Sequence, residues 1–207
     1  MKFRISPRLA LVIIAAMFVL PLALAWLMYN GTIEFKPGTT RNLGELVRPA
    51  VPISWEEGIE SFDTAYADQA GQAFPEHWVI LHAVADPCAE SCIEAVTGLR
   101  QVHRASGRNQ GRIRIALLLE NNSAPDTAAA LKAISPTFQL IANPGRELWN
   151  PLEEISRTSL MPQPASGGTY LIDPLGNIMM YYAAGSDPNF LKKDLKRLLT
   201  WSKLDEQ

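Results

Sequence analysis

The sequence predicts a layered α/β domain with a mixed sheet, carried behind one N-terminal membrane helix. Three observations lead there. Leu9 to Tyr29 carries no charged side chain. From Trp78 onward, short apolar runs alternate with amphipathic stretches, the pattern of strands and helices in alternation. Near the C-terminus two apolar runs flank a cluster of turn residues, which reads as an antiparallel hairpin and makes the sheet mixed.

The first segment, as a helix, would extend about 31 Å, enough to cross a hydrocarbon core. Lys2, Arg4 and Arg8 precede it without an intervening acid, so the positive-inside rule puts the N-terminus in the cytoplasm and the rest outside. Trp26 and Tyr29 fall where interfacial aromatics belong, and Pro21 is tolerable in a membrane helix. Ala23-Leu24-Ala25 offers the competing reading of a cleaved signal peptide. The apolar run continues past that site through Trp26, Leu27 and Met28, which favours a retained anchor. The expected organisation is a cytoplasmic N-terminus over 1–8, an anchor over 9–29, a proline-bearing stalk over 30–60 and a folded domain over 61–207. A short hairpin is expected around Phe62 to Gln72.

Within the domain, Trp78 to Val84 is a nearly continuous apolar run, as expected of a strand covered on both faces. Asp86-Pro87 supplies a helix start, with Asp as cap and Pro in the first turn. The helix should then run from about Cys88 to Ala105, with Gly107 as its stop. Cys92, Val96, Leu99 and His103 form its apolar stripe. Ile113 to Leu119 is a second buried strand. A helix over Asp126 to Ile134 follows, then a strand over Phe138 to Ala142 and a short helix over Glu147 to Ser156. Thr169 to Ile172 and Ile178 to Tyr182 flank Asp173-Pro174-Leu175-Gly176-Asn177, the hairpin. Asn189 to Lys203 closes the chain as an amphipathic helix, with Leu191, Leu195 and Leu199 opposed to Lys192, Lys196 and Arg197.

The formal net charge of −2 gives no electrostatic footprint for nucleic acid. No glycine-rich phosphate loop occurs. The chemistry rests on the chain's only two cysteines, Cys88 and Cys92. They fall beyond the carboxyl end of the first domain strand, where sites gather in open α/β sheets. On a helix, residues four apart share a face, so the sulfurs can meet each other or a common metal. Three readings follow: a dithiol that exchanges disulfides, a soft-ligand site suited to Cu(I), or a passive bridge. A bridge over a four-residue step constrains little of the unfolded chain. Helix-dipole support for a thiolate is opposed by Asp86, and no Lys or Arg occurs between Trp78 and Thr97. Cys88, nearer the helix start, is the expected attacking thiol and Cys92 the resolving one.

His77 through Cys92, His-Trp-Val-Ile-Leu-His-Ala-Val-Ala-Asp-Pro-Cys-Ala-Glu-Ser-Cys, resembles the first strand and cysteine loop of the Sco/SenC family. Tyr170-Leu171-Ile172-Asp173-Pro174-Leu175-Gly176 resembles that family's hairpin. Its members are membrane-anchored, thioredoxin-like proteins that help to assemble the copper centre of cytochrome c oxidase. The resemblance implies a thioredoxin-like mixed sheet flanked by helices. It implies a domain on the periplasmic side of a bacterial inner membrane, and a partner that is the oxidase copper-site subunit or another oxidase assembly factor. It also implies thiol redox chemistry or Cu(I) binding at Cys88 and Cys92.

Two departures from the family bear on mechanism. Ala89, not proline, follows the first cysteine. The family's histidine ligand would fall near Ala165, yet no histidine occurs after His103. Met161, a thioether in the loop that replaces the histidine segment, is a candidate third ligand. His82 is a weaker one, and His103 lies about 16 Å along the helix from Cys92, too far to share a metal. Met179 and Met180 are expected along a strand. Where thioredoxin-like oxidoreductases place a cis-proline facing the cysteines, this chain has Gly167-Gly168. The absent histidine tilts the expectation from copper carrier towards thiol redox partner, with a non-catalytic docking module as the alternative.

Overall fold

The computed structural model describes residues 6–29, 41–56, 58–62, 71–120 and 125–202. The chain divides into two units, residues 1–41 and 42–207. In the first, α1 runs over Pro7–Tyr29 and includes Pro21. Its Pro7–Leu27 stretch is long and apolar enough to cross a membrane.

The second unit is built on one seven-stranded sheet. Its strands are β1 (Glu45–Pro52), β2 (Glu60–Ser61), β3 (Trp78–Ala83), β4 (Ile113–Leu119), β5 (Gln139–Ala142), β6 (Thr169–Ile172) and β7 (Asn177–Tyr182). They lie in the order β1-β7-β6-β3-β4-β5-β2. β3, β4 and β5 are mutually parallel, while β6 pairs antiparallel with β3, and β7 with β6. The helices are α2 (Glu90–Ala105), α3 (Pro125–Ile134), α4 (Trp149–Thr158) and α5 (Pro188–Trp201). A 3-10 turn over Gly107–Arg112 joins α2 to β4.

Every residue of β3 is buried, because helices cover both faces of the sheet. Side chains alternate between faces along a strand. Ile80 and Val84 join a core with Val96 and Leu99 of α2, Leu131 of α3 and Leu191 and Leu195 of α5. Val79, Leu81 and Ala83 join the opposite core with Trp149, Leu152 and Ile155 of α4. The same alternation assigns His82 to the α2 and α5 face.

β1 lies inside the segment expected to be a stalk, and it forms the outer edge of the sheet against β7. Pro49 and Pro52 obscure it in the sequence. Proline is compatible with an edge strand, where a missing N–H leaves no ladder bond unmade. The hairpin expected around Phe62 to Gln72 falls mostly outside the described residues. Just ahead of it, the two-residue β2 pairs with β5.

A buried carboxylate fixes the entry to β1. Asp194 of α5 is 3% exposed and accepts hydrogen bonds from the backbone N–H of Leu43 (2.8 Å) and Gly44 (2.9 Å) and from the Tyr182 hydroxyl (3.1 Å). Gly44 permits this approach, since a Cβ there would stand 2.5 Å from the Tyr182 ring. The β6–β7 turn closes as expected: the Asp173 carboxylate accepts from Leu175 N and Asn177 N, and Gly176 takes a positive φ.

Candidate functional site

The site lies where β3 runs out. Ala83 N donates to Gly168 O at 3.0 Å, and Gly167 N donates to Ala83 O at 2.6 Å. These bonds tie the loop ahead of β6 to the end of β3. Gly167 has φ of +84°, and a Cβ there would come within 3.0 Å of the Ala184 Cβ. Both facts require glycine at the close approach of the two loops.

Beyond Val84 the chain turns through a cis Asp86–Pro87 peptide into the cysteine loop. α2 begins at Glu90, two residues later than the sequence suggests, with Ala89 as N-cap and no side-chain cap bond. Asp86 therefore does not cap the helix. Cys88 sits in the loop and Cys92 in the first helical turn. Their sulfurs are joined in a disulfide, with Cα atoms 5.2 Å apart. Cys88 is half-buried, whereas Cys92 is 7% exposed and packs into the core beneath α2. Cys88 is thus the more exposed residue of the pair, and Cys92 is buried against the core and on the wall of a cavity.

Beside the bridge lies a cavity of about 380 Å³, walled by His82, Cys92, Gly167, Thr169 and the segment from Tyr182 to Pro188. Its described lining includes Glu94 and Asp187 and no lysine or arginine, so no cation there supports a Cys92 thiolate. His82 is 1% exposed. Its Nδ1 lies 2.9 Å from Thr169 Oγ1, and Nε2 has no partner among the described residues. Burial pushes its pKa down to about 4, with the Gly168 backbone acting in the opposite direction.

The structure brings His82 and Cys92 to one cavity. Met161 is 64% exposed in the loop after α4 and is not among the cavity residues. His103 stands near the far end of α2, and Met180 is buried in the core on β7. Among the described residues, no group of three His, Cys, Asp or Glu side chains could hold a metal ion, and the cysteine sulfurs are bonded to each other. This donor set does not fit a three-ligand copper site. His82 is a buried strand residue, as its place in an apolar run suggests.

A family described as transmembrane-like, thioredoxin-like, C-terminal domain matches residues 78–202. A sequence comparison with curated proteins finds no match. The solution structure of apo Sco1 from Thermus thermophilus superposes with a TM-score of 0.54 at 14% identity, covering 78% of this chain and 99% of that one. Yeast Sco1 gives 0.50 at 12% identity, covering 63% and 84%. The thioredoxin domain of a thiol-disulfide oxidoreductase from Bacteroides vulgatus gives 0.45 at 14% identity, covering 61% and 82%. At such identities the first two likenesses concern the fold, which is thioredoxin-like.

Proposed function

Because the chain belongs to the transmembrane-like, thioredoxin-like family, we propose that it is a membrane-tethered thiol–disulfide exchange protein of Sco/SenC type. It works on the periplasmic face of a bacterial inner membrane during cytochrome c oxidase assembly. Its partner is the copper-site subunit or another assembly factor. The carrying observation is the Cys88–Cys92 bridge at the end of β3, with Cys88 half-buried and Cys92 buried. The resemblance of His77–Cys92 and Tyr170–Gly176 to the Sco/SenC family supports the pathway, and α1 supports the tether. Confinement to a surface raises the effective concentration of partners.

The exchange runs in two steps. The Cys88 thiolate attacks one sulfur of a partner disulfide. The partner's S–S bond breaks, a mixed disulfide forms at Cys88, and the released partner sulfur takes a proton. Cys92, having lost its proton, attacks Cys88 Sγ, which re-forms the Cys88–Cys92 bond and releases the second partner thiol. Two electrons pass to the partner. Resetting the pair takes two electrons and two protons from a second dithiol.

The test is a redox titration of residues 30–207 against glutathione, paired with Cu(I) competition against a chelator of known affinity. A potential within reach of dithiol reductants, without tight copper uptake, supports exchange. Stoichiometric tight copper replaces it with a two-cysteine carrier role. A bridge that resists strong dithiol reductant replaces it with a docking module whose disulfide is structural.

A further inference from the structure

The exchange chemistry leaves the outer face of α5 unused. The apolar side of this helix, with Leu191, Leu195 and Leu199, closes the core. The other side is exposed and of one sign. Lys193, Arg197 and Trp201 form one row, and Lys192 and Lys196 the next, at the four-residue spacing of a helix face. The helix has one acid, Asp194, which is 3% exposed and turned inward to Leu43, Gly44 and Tyr182. Arg197 shares its charge with that carboxylate at 3.2 Å. None of the three lysines has an ion-pair partner among the described residues. Residues 42–207 as a whole carry more acid than base, so the patch opposes the charge of the unit that bears it. Trp201 stands at its end, 85% exposed.

We propose that this face of α5 docks the domain on an anionic phospholipid surface, that of the bilayer which α1 spans. Two independent observations select such an occupant. The first is the route of the chain. Asp194 pins Leu43 and Gly44 to α5 itself, and Leu43 follows Tyr29, the last residue of α1, by 14 positions. Fully extended, a chain of that length reaches at most about 50 Å, which bounds how far the pinned point can travel from the membrane. The second is the chemistry of the face. Lysine ammonium groups are drawn to negative headgroups, and the attraction fades within a screening length. Tryptophan favours the membrane–water boundary, where the ring is in an apolar layer and the indole N–H meets water. Because the apolar side of α5 stays in the core, the contact is peripheral, with headgroups against the lysines and Trp201 entering the interface.

Docking of this kind would set the height of the cysteine site. Pro188 and Leu191, at the start of α5, wall the cavity beside Cys92. Trp201 lies about 20 Å further along the helix at 1.5 Å per residue. The site is thereby held near the headgroups instead of sweeping the full reach of the tether, which raises its effective concentration for membrane-borne partners.

The inference rests on the tether in the proposed function, not on the exchange step, and one experiment separates docking from tether. The full chain is reconstituted in nanodiscs of brominated phosphatidylcholine, alone or with phosphatidylglycerol in equal parts. Co-elution with the discs reports the tether. The Trp201 signal is the fluorescence of wild type minus that of Trp201→Phe, in which the other four tryptophans cancel. In anionic discs this signal should drop by about half relative to unbrominated discs of the same charge, as an interfacial indole requires. It should recover in about 1 M salt, where the screening length is about 3 Å. In phosphatidylcholine alone it should stay unquenched. Lys192→Gln, Lys193→Gln and Lys196→Gln combined, all at exposed positions, should abolish the quenching and leave co-elution unchanged. A chain that co-elutes yet keeps Trp201 equally bright in both brominated discs overturns the inference and leaves this face to an acidic protein. Quenching that persists without phosphatidylglycerol, or with the three glutamines, overturns it as well, since the contact is then not with anionic headgroups. A chain that does not co-elute with discs overturns the tether reading, and the docking with it.

Discussion

Acid should unfold this domain partly through His82, and the size of the effect follows from its burial. The ring's pKa is about 4 in the fold against an ordinary 6.5. Between those values the unfolded chain holds a proton that the folded chain does not, so acidification favours unfolding. The stabilisation conferred by the neutral ring is fully present above the unfolded value and is lost as pH falls towards the folded one. A depression of this size corresponds to about 3 kcal/mol at 1.36 kcal/mol per unit. The perturbation is His82→Gln, which keeps a polar side chain and removes the titration. Urea unfolding of oxidised residues 30–207, followed by fluorescence of the buried Trp55, Trp78 and Trp149, gives stability at a series of pH values. Other groups titrate in both chains, so the informative quantity is the wild-type minus variant difference. It should fall by about 3 kcal/mol from neutral pH to about pH 4. Parallel stability curves for the two chains would refute the burial argument.

Other outcomes follow from the same geometry. Cys92→Ser should accumulate a stable mixed disulfide at Cys88, visible by mass spectrometry, whereas Cys88→Ser should form none, because the remaining thiol is buried. Asp194→Ala strips three described hydrogen bonds from the β1 entry and Tyr182. Arg197 loses its bond to the same carboxylate as well, and with bonds to a charged group worth about 1.5 kcal/mol or more each the substitution should cost about 4 kcal/mol or more in urea unfolding, with earlier amide exchange in β1. Gly167→Ala should cost about 1–2 kcal/mol, the penalty of a left-handed backbone for a residue with a Cβ, read as a lowered melting midpoint. Glu94→Lys places a cation on the cavity and should raise the disulfide potential by about 10–30 mV, since thiolate support favours the reduced form.

Much of the sheet was legible because its signals are local. β3 and β4 announce themselves as apolar runs, and the β6–β7 hairpin by Asp173 and Gly176. The start of α2 was misplaced because Asp86-Pro87 carries both cap residues in the right order, yet the chain does not enter the helix until Ala89. β1 was missed because prolines mask a strand that owes its place to pairing with β7 and to the distant Asp194 carboxylate. Met161 was picked out because it sits in the loop that replaces the family's histidine; the structure places it exposed in the loop after α4. His82 reads as a packed strand residue and is one, but that it walls a cavity with Cys92 depends on where α2 packs.

The order of elements, the membrane-length helix, the cysteine pair and its place after β3 were all written locally, in hydropathy period and in residues that start or stop a helix. Such features depend on neighbours a few positions apart, so the chain states them without its fold. Which cysteine is buried, which histidine shares its cavity and which proline-bearing segment joins the sheet depend on contacts between residues dozens to more than a hundred positions apart. Those contacts exist only once the hydrophobic faces of sheet and helices have closed on one another. Burial then sets the charge state of His82 and the order in which the two thiols can react.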